Sequence, residues 1–233
     1  MRTLVIIPAY NEQANIKVVV DKLINGYPQF DYVVINDGSK DDTALICRQN
    51  GYNLIDLPVN LGLAGAFQTG LKYAYKMGYE SAIQFDADGQ HLPQFIQPMI
   101  DEMVLHNVDI VIGSRFITVP KPKNLRTLGS YLIALAIHIT TGKKLTDPTS
   151  GMRLFNKKMI KEFAMDANYT PEPDTMSYLM KNGAVVEEIQ VDMAERTAGE
   201  SYLNMSNAAK YMIKMGMSII FIQWVRKRKE GDF

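Results

Sequence analysis

Short apolar runs alternate with helix-like stretches through the first half of the chain, and this alternation limits the possible folds more than any other feature. We predict strands at residues 4–7, 32–35, 53–57, 83–85 and 108–112. Between them, apolar residues recur at i, i+3, i+4 and i+7, as in residues 16–24 and 96–104, which is typical of amphipathic helices. The sequence therefore predicts an α/β fold with a doubly wound, mostly parallel, Rossmann-like sheet and helices on both faces.

Polar residues follow four of these strands, where a doubly wound sheet binds its ligands. They are Tyr10 and Glu12, Asp37, Asp86 and Asp88, and Arg115. Each one alone is also compatible with an ordinary turn or loop. Because the carboxyl ends of parallel strands meet at one edge, their occurrence after four separate strands predicts a binding site there.

Asp86 and Asp88 are the strongest candidates for metal ligands. Two residues apart on an extended chain, their side chains point to the same side and repel each other unless a cation lies between them. A divalent ion with oxygen ligands would stabilise the pair, and the amide oxygen of Gln90 is within reach as another ligand. Spacing alone leaves a second interpretation open, in which both aspartates cap the helix beginning near Pro93.

Composition and missing motifs exclude several other classes of function. With 25 basic and 25 acidic residues, the chain has no net charge to attract nucleic acid, so we expect no nucleic-acid partner. The segment after the first strand, residues 8–12, contains no glycine and so lacks the dinucleotide-binding motif. The one cysteine, Cys47, excludes an internal disulfide.

Seven short motifs occur in a fixed order over residues 1–202. They are Pro-Ala-Tyr-Asn-Glu at 8–12, Asn-Asp-Gly-Ser at 36–39, Asn-Leu-Gly at 60–62, Asp-Ala-Asp-Gly-Gln-His at 86–91, Gly-Ser-Arg at 113–115, Asp-Pro-Thr-Ser-Gly-Met-Arg at 147–153 and Arg-Thr-Ala-Gly-Glu-Ser at 196–201. In this ordered set the chain resembles the family 2 glycosyltransferases of GT-A fold. Within that family it is most similar to the dolichyl- and polyprenyl-phosphate sugar synthases.

The resemblance implies a nucleotide-sugar donor and a divalent cation, Mg²⁺ or Mn²⁺. It implies that the nucleotide sugar is bound by Pro8, Ala9, Tyr10, Glu12, Ile35, Asp37, Gly62, Asp86, Ala87, Asp88, Arg115 and Arg196. Asp86, Asp88 and Gln90 are the expected metal ligands. Arg115 and Arg196 would face the diphosphate or the acceptor phosphate, because a guanidinium group can contact two oxygens at once.

Two positions depart from the family pattern. Asn36 stands where the family often has an aspartate, although Asp37, the residue matching the base-binding position, is retained. Tyr202 stands where the lipid-phosphate synthases often have a lysine, so one positive charge is missing near the expected acceptor site.

The C-terminal segment combines apolar and basic residues. Residues 215–225 are almost wholly apolar and precede the basic block 226–229, but 11 residues are too few to cross a bilayer. We predict an amphipathic helix that binds a membrane surface; a methionine-rich core or dimer helix is the alternative. The predicted organisation is one GT-A catalytic domain, 1–202, with a nucleotide-sugar half, 1–117, an acceptor half, 118–202, and a C-terminal helix, 203–233.

These observations lead to one functional hypothesis. The chain is expected to be an inverting, metal-dependent glycosyltransferase that moves a hexose or N-acetylhexosamine from a UDP-sugar to a polyprenyl phosphate for cell-envelope glycan synthesis. It would act peripherally on the cytoplasmic face of the cell membrane, with a small integral-membrane partner or a homo-oligomer left open. The candidate catalytic residues are Asp88, Asp147, Arg115 and Arg196.

Two alternatives remain at this stage. A sugar hydroxyl of a lipid-linked saccharide could be the acceptor, in which case a base is needed and Asp147 is the candidate. The chain could also be a non-catalytic scaffold that binds nucleotide sugars without turnover. A phosphate acceptor needs no base, because its second pKa of about 6 leaves it largely ionised at neutral pH.

Overall fold

The computed structural model describes residues 1–122, 125–166, 170–195, 211–212 and 214–222. Its strands are β1 (Thr3–Ala9), β2 (Asp31–Asn36), β3 (Leu54–Asp56), β4 (Ser81–Gln84), β5 (Ile110–Ser114), β6 (Arg153–Asn156) and β7 (Val186–Gln190). Its α-helices are α1 (Ile16–Gly26), α2 (Thr43–Gln49), α3 (Gly62–Lys76), α4 (Ile96–Leu105), α5 (Leu125–Thr141), α6 (Lys157–Met165) and α7 (Pro173–Lys181). A 3₁₀ turn, Pro93–Phe95, precedes α4, and Ser218–Ile222 form a short π-helix.

All of these strands form one sheet in the order β3-β2-β1-β4-β6-β5-β7. Neighbouring strands are parallel except at β6, which runs antiparallel to both β4 and β5. The predicted mostly parallel α/β sheet is therefore confirmed. Since β6 runs the opposite way, it begins at the edge of the sheet where β4 and β5 end.

Helices cover both faces of the sheet, as predicted, and each face has its own core. Leu4 and Ile6 of β1 point into the core formed with α3, α5, α6 and α7. Val5 and Ile7 point into the opposite core, formed with α1, α2 and α4. All four side chains are completely buried, which explains why β1 is a continuous apolar run rather than an alternating one.

Strand β6 is not among the strands predicted from the sequence. The structure has a strand over Arg153–Asn156 and the helix only from Lys157. The strand has four residues and includes a buried arginine, so it shows neither an alternating pattern nor a long apolar run. Other elements differ from prediction only at their ends; β5, predicted at 108–112, extends from Ile110 to Ser114.

The described part of the C-terminal segment packs against the domain. Met215 and Ile219 are buried in the core shared by α5 and α7, and Met212 lies over Gly129 of α5. Met217 and Phe221 are exposed. Most of the predicted amphipathic helix, including the basic block 226–229, lies outside the described residues. Within the described ranges, no helix has the length and apolarity required to span a bilayer.

Candidate active site

A cavity of about 570 Å³ with several charged side chains in its lining, the polar cavity, lies at the carboxyl edge of the central strands. Its lining comes from the start of α3, the residues at and after the end of β4, the residues after β5 and those that lead into β6. Gly62, Asp86, Arg115 and Arg153 are among the lining residues. Because β6 runs antiparallel to β4 and β5, it begins at the edge where those strands end. The residues that lead into β6 therefore meet the residues that follow β4 and β5 at this cavity.

Asp86 is held at the end of β4 by two neighbouring side chains. Its backbone N–H donates to His91 Nδ1 at 2.9 Å, so Nδ1 accepts and the ring proton is on Nε2. This Nε2 is 3.6 Å from Asp86 Oδ2, while Gln84 Nε2 donates to Oδ1 at 3.1 Å. Buried His91 therefore fixes the turn that directs the Asp86 carboxylate into the cavity.

Asp88 follows in the same turn, where it is half-buried and not part of the cavity lining. Its Oδ1 accepts a hydrogen bond from the Gln90 N–H at 3.0 Å. The Gln90 carbonyl in turn accepts from the Ala194 N–H at 2.9 Å. The turn carrying the aspartates is thus attached to the segment after β7, which leads toward Arg196. Arg196 itself lies outside the described residues.

The described residues do not form a complete metal site by themselves. In the described part of the chain, no group of three or more His, Cys, Asp or Glu side chains could hold a metal ion. Asp86, Asp88 and Gln90 offer oxygen ligands, which suit Mg²⁺ or Mn²⁺, but fewer than the roughly six that such ions require. Diphosphate oxygens and water would complete the coordination.

Arg115, after β5, forms a bidentate ion pair with Asp147. The Nε–Oδ2 and Nη2–Oδ1 distances are 2.6 Å and 2.9 Å, and the Arg115 backbone N–H approaches the same Oδ2 at 3.3 Å. Asp147 is 0% exposed, whereas the Arg115 side chain is 35% exposed and lines the cavity. Asp147 is therefore a buried support for a guanidinium group that remains accessible to a ligand.

Glu188 of β7 supports this pair from behind. It accepts hydrogen bonds from the Asp147 N–H at 2.7 Å and from the Thr146 N–H at 2.5 Å. Burial raises the pKa of Glu188 above its usual value, and these hydrogen bonds oppose the shift. No role was predicted for Glu188 from the sequence, because its strand also contains Glu187 and Gln190 and so gives no signal that sets Glu188 apart.

Arg153, the first residue of β6, places a buried positive charge beside the cavity. It is 3% exposed, and Nη2 donates to the Pro148 carbonyl at 2.8 Å while Nη1 donates to the Pro171 carbonyl. Its Nε has no hydrogen-bond partner among the described residues. Burial lowers the pKa of Arg153, and the nearby Glu172 carboxylate opposes this. In the sequence, Arg153 is the last residue of the motif at 147–153, and no role was predicted for it.

The loops after β1 and β2 are joined by hydrogen bonds. The Asn11 N–H donates to Ser39 Oγ at 2.9 Å, and the Lys40 N–H donates to Asn11 Oδ1 at 2.8 Å. The Glu12 N–H donates to Thr43 Oγ1 at 2.8 Å. The predicted binding residues Tyr10 and Glu12 are therefore close to the loop carrying Asp37, although none of the three lines the polar cavity.

Asp37 connects its loop to α3. Its carboxylate is almost completely buried, and Oδ1 accepts from the Leu61 N–H at 2.7 Å. Gly38 has a φ of +66°, and a Cβ there would lie 2.8 Å from the backbone nitrogen of Asn60, so the close approach requires glycine. This contact positions Gly62, which lines the cavity.

The remaining predicted nucleotide-binding residues, Pro8, Ala9, Ile35 and Ala87, are buried. Ile35 is 0% exposed and belongs to the core, so its side chain offers no surface to a ligand in this structure. Their roles in nucleotide binding stay predictions.

An apolar groove of about 1130 Å³ adjoins the polar cavity. It runs between α5 and residues 116–122, and exposed apolar side chains of α5 line it, including Leu128, Tyr131 and Leu135. Phe116, Pro122 and Thr127 line both the groove and the cavity, so the two adjoin each other.

The family model described as "Glycosyl transferase family 2" matches residues 4–163. The chain belongs to this family. Members are glycosyltransferases, as are the named relatives. The Mycolicibacterium smegmatis polyprenol monophosphomannose synthase is 28% identical over 235 residues, covering 92% of this chain and 85% of the relative. The Methanococcus voltae UDP-N-acetylglucosamine–dolichyl-phosphate N-acetylglucosaminyltransferase is 35% identical over 176 residues, covering 67% and 70%.

Solved structures establish the same fold for this glycosyltransferase. Glucosyl-3-phosphoglycerate synthase from Mycobacterium tuberculosis, in complex with phosphoglyceric acid, superposes with a TM-score of 0.68 and 16% identity, covering 94% of this chain and 80% of that one. A second structure of that enzyme, containing Mn²⁺, UDP and glucosyl-3-phosphoglycerate, gives a TM-score of 0.65 at 18% identity with the same coverage. The predicted GT-A fold is thereby confirmed.

Proposed function

We propose that this family 2 glycosyltransferase moves a hexose or N-acetylhexosamine from a UDP-sugar to a polyprenyl phosphate, with inversion at the anomeric carbon. The observation that carries the proposal is that an apolar groove adjoins the polar cavity, which is lined by Asp86 and Arg115. A polyprenyl phosphate has this same division into a charged end and an apolar chain. The names of the relatives, which include polyprenol and dolichyl phosphate, support this acceptor class.

The donor would bind at the carboxyl edge of the sheet. Tyr10, Glu12 and Asp37 would hold its nucleoside, and Asp86, Asp88 and Gln90 would hold Mg²⁺ or Mn²⁺ against its diphosphate. When bound, the ion would neutralise charge on the departing diphosphate. The name of the Methanococcus voltae relative, which includes UDP-N-acetylglucosamine, supports a UDP donor.

Arg115 would stabilise the negative charge that develops on the leaving diphosphate. Its guanidinium is already oriented by Asp147, so little reorganisation is needed when the sugar is transferred. Arg196 would act beside it from the segment after β7. These residues position and neutralise reacting groups, which is the main requirement when the nucleophile is already ionised.

The geometry of Asp147 favours a phosphate acceptor over a sugar hydroxyl. A hydroxyl must lose its proton to a base, and Asp147 was the candidate. Both carboxylate oxygens of Asp147 contact Arg115, and no part of the residue is exposed. An ionised phosphate can attack without a base, so direct attack agrees better with this arrangement.

The proposed location is the cytoplasmic face of the cell membrane, where polyprenyl phosphates used for cell-envelope glycans would be reached. Leu132 and Ile139 of α5 are exposed beside the groove, in addition to its lining residues. An apolar helix face of this kind suits contact with lipid. The basic block 226–229 would add attraction to anionic lipid.

The test compares Asp88→Asn with Asp101→Asn, an exposed aspartate on α4, as control. Calorimetry would measure UDP-sugar affinity with and without Mn²⁺, and a radiolabel assay would measure transfer to polyprenyl phosphate. Losing a charged ligand should weaken metal-dependent donor binding about 10- to 140-fold. The proposal would be contradicted if Asp88→Asn bound and turned over the donor like the wild type, with no dependence on metal. Donor binding without turnover in the wild type would favour a scaffold.

A further inference from the structure

Lys121 lies where the polar cavity and the apolar groove meet. Its side chain lines the groove, and Nζ donates to Ser130 Oγ at 3.3 Å. Ser130 lines the polar cavity. Nζ is also 5.5 Å from the ring centroid of Phe116 and 5.3 Å from that of Tyr131. Two aromatic rings and a hydroxyl therefore hold a cation at the boundary between the two spaces.

Lys121 is a half-buried residue. Burial lowers the pKa of Lys121, while the more distant Asp147 and Glu188 carboxylates raise it. Among the described residues, no carboxylate is within 4.0 Å of Nζ, the distance that defines an ion pair. A cation partly removed from water without a close counter-ion gains from binding an anion.

We propose that Lys121 binds the phosphate of the acceptor and thereby selects a phosphorylated polyisoprenoid over a neutral one. This inference rests on the proposed function and adds the residue that recognises the acceptor's charge. The apolar chain would lie in the groove, with its phosphate against Lys121 and its attacking oxygen toward the polar cavity.

In the transfer step, an acceptor phosphate oxygen forms the bond to the anomeric carbon of the donor sugar. The bond between that carbon and the donor diphosphate oxygen breaks, and its electron pair leaves with the nucleoside diphosphate. No proton moves. Lys121 would reduce the repulsion between the incoming phosphate and the donor diphosphate, so its loss should raise the acceptor KM and leave donor affinity unchanged.

The experiment measures calorimetric binding of two probes, farnesyl phosphate and uncharged farnesol, to the full chain and three variants. Lys121→Gln should weaken binding of farnesyl phosphate about 10- to 100-fold and leave binding of farnesol unchanged. Lys121→Arg should restore most of the affinity for the phosphate. The control is Lys143→Gln, because Lys143 is exposed and lines neither cavity. A purely structural role would weaken binding of both probes equally.

The inference would be overturned if the wild type and Lys121→Gln bound farnesyl phosphate with equal affinity. It would also be overturned if the wild type did not prefer farnesyl phosphate over farnesol. The transfer assay separates this result from the proposed function. Wild-type transfer to polyprenyl phosphate with an unchanged acceptor KM in Lys121→Gln would reject Lys121 alone. If Lys121→Gln lost binding of farnesyl phosphate alone and the wild type showed no transfer, the role of Lys121 in phosphate binding would be supported. The proposed reaction with polyprenyl phosphate would then be rejected.

Discussion

Asp147→Asn distinguishes a residue that positions Arg115 from one that removes a proton. Asparagine has nearly the shape of aspartate but only one acceptor oxygen. It can keep one of the two hydrogen bonds to Arg115, now at 2.6 Å and 2.9 Å, and turns an NH₂ group toward the other guanidinium nitrogen. If Asp147 acts through Arg115, the variant should bind donor diphosphate less well.

The magnitude follows from the contacts that are lost. One charge-assisted hydrogen bond is worth about 1.5–3 kcal/mol, which corresponds to a roughly 10- to 140-fold loss in donor kcat/KM. Water reaches part of Arg115, so the cost should stay below the about 3–5 kcal/mol typical of breaking a fully buried pair. Because Asp147 is completely buried, the melting temperature should also fall by about 3–12 °C.

The assay is a double-mutant cycle with Arg115→Gln. Donor kcat/KM is measured for the wild type, both single variants and the double variant at several pH values. If Asp147 works only by orienting Arg115, the double variant should be no less active than Arg115→Gln. The pH profile of kcat should keep its shape in Asp147→Asn.

The opposite pattern would refute this reasoning. A general base contributes about 10²- to 10⁴-fold, and its loss lowers kcat without changing donor affinity. Asp147→Asn would then show a fall of that size in kcat with normal donor binding. Its effect would add to that of Arg115→Gln, and the pH profile would change. This result would support a sugar hydroxyl as the acceptor, with Asp147 as the base.

Two further predictions concern the core. In Gly70→Ala, the new Cβ would lie 2.3 Å from Ile6 Cγ2, so α3 must shift away from β1. The free energy of unfolding, measured in urea, should therefore fall by about 1–3 kcal/mol. The control is Gly26→Ala, which has open space around it and should leave this free energy nearly unchanged or raise it. Burial raises the pKa of Cys47 to about 11 from its ordinary 9.0, so the thiol stays protonated until the pH approaches that value. Labelling by a chromogenic disulfide at pH 8 should be slow until denaturant is added, and rapid labelling of the native protein would contradict this.

The sequence predicts the centre of the parallel sheet well because the central parallel strands are buried on both faces. Residues 4–7 and 32–35 are therefore recognisable as apolar runs, and the polar residues after them mark the edge where ligands bind. Asp86 and Arg115 line the cavity as expected. The predicted metal ligands, nucleotide contacts and domain boundaries remain predictions.

The parts that sequence analysis missed depend on contacts between distant residues. The pairing of Arg115 with Asp147 spans 32 residues, and nothing in the local pattern of either indicates it. Arg153 is a charged residue in a buried strand position, where an apolar side chain is expected, and Glu188 lies in a strand with other polar residues. The burial of Arg153 is tolerated because two backbone carbonyls accept its hydrogen bonds and the Glu172 carboxylate is nearby, and these contacts exist only in the folded chain.

The reversed strand β6 has a consequence for how the protein can be divided. β4 and β5 do not pair with each other, since β6 lies between them, and both neighbours of β5 come from residues after 117. A fragment consisting of residues 1–117 would leave β5 with no strand partner at all. Residues 1–117 and the residues after them therefore share one continuous sheet. Exchanging residues 1–117 between relatives should preserve folding only when the residues of β6 and β7 are transferred together with β5.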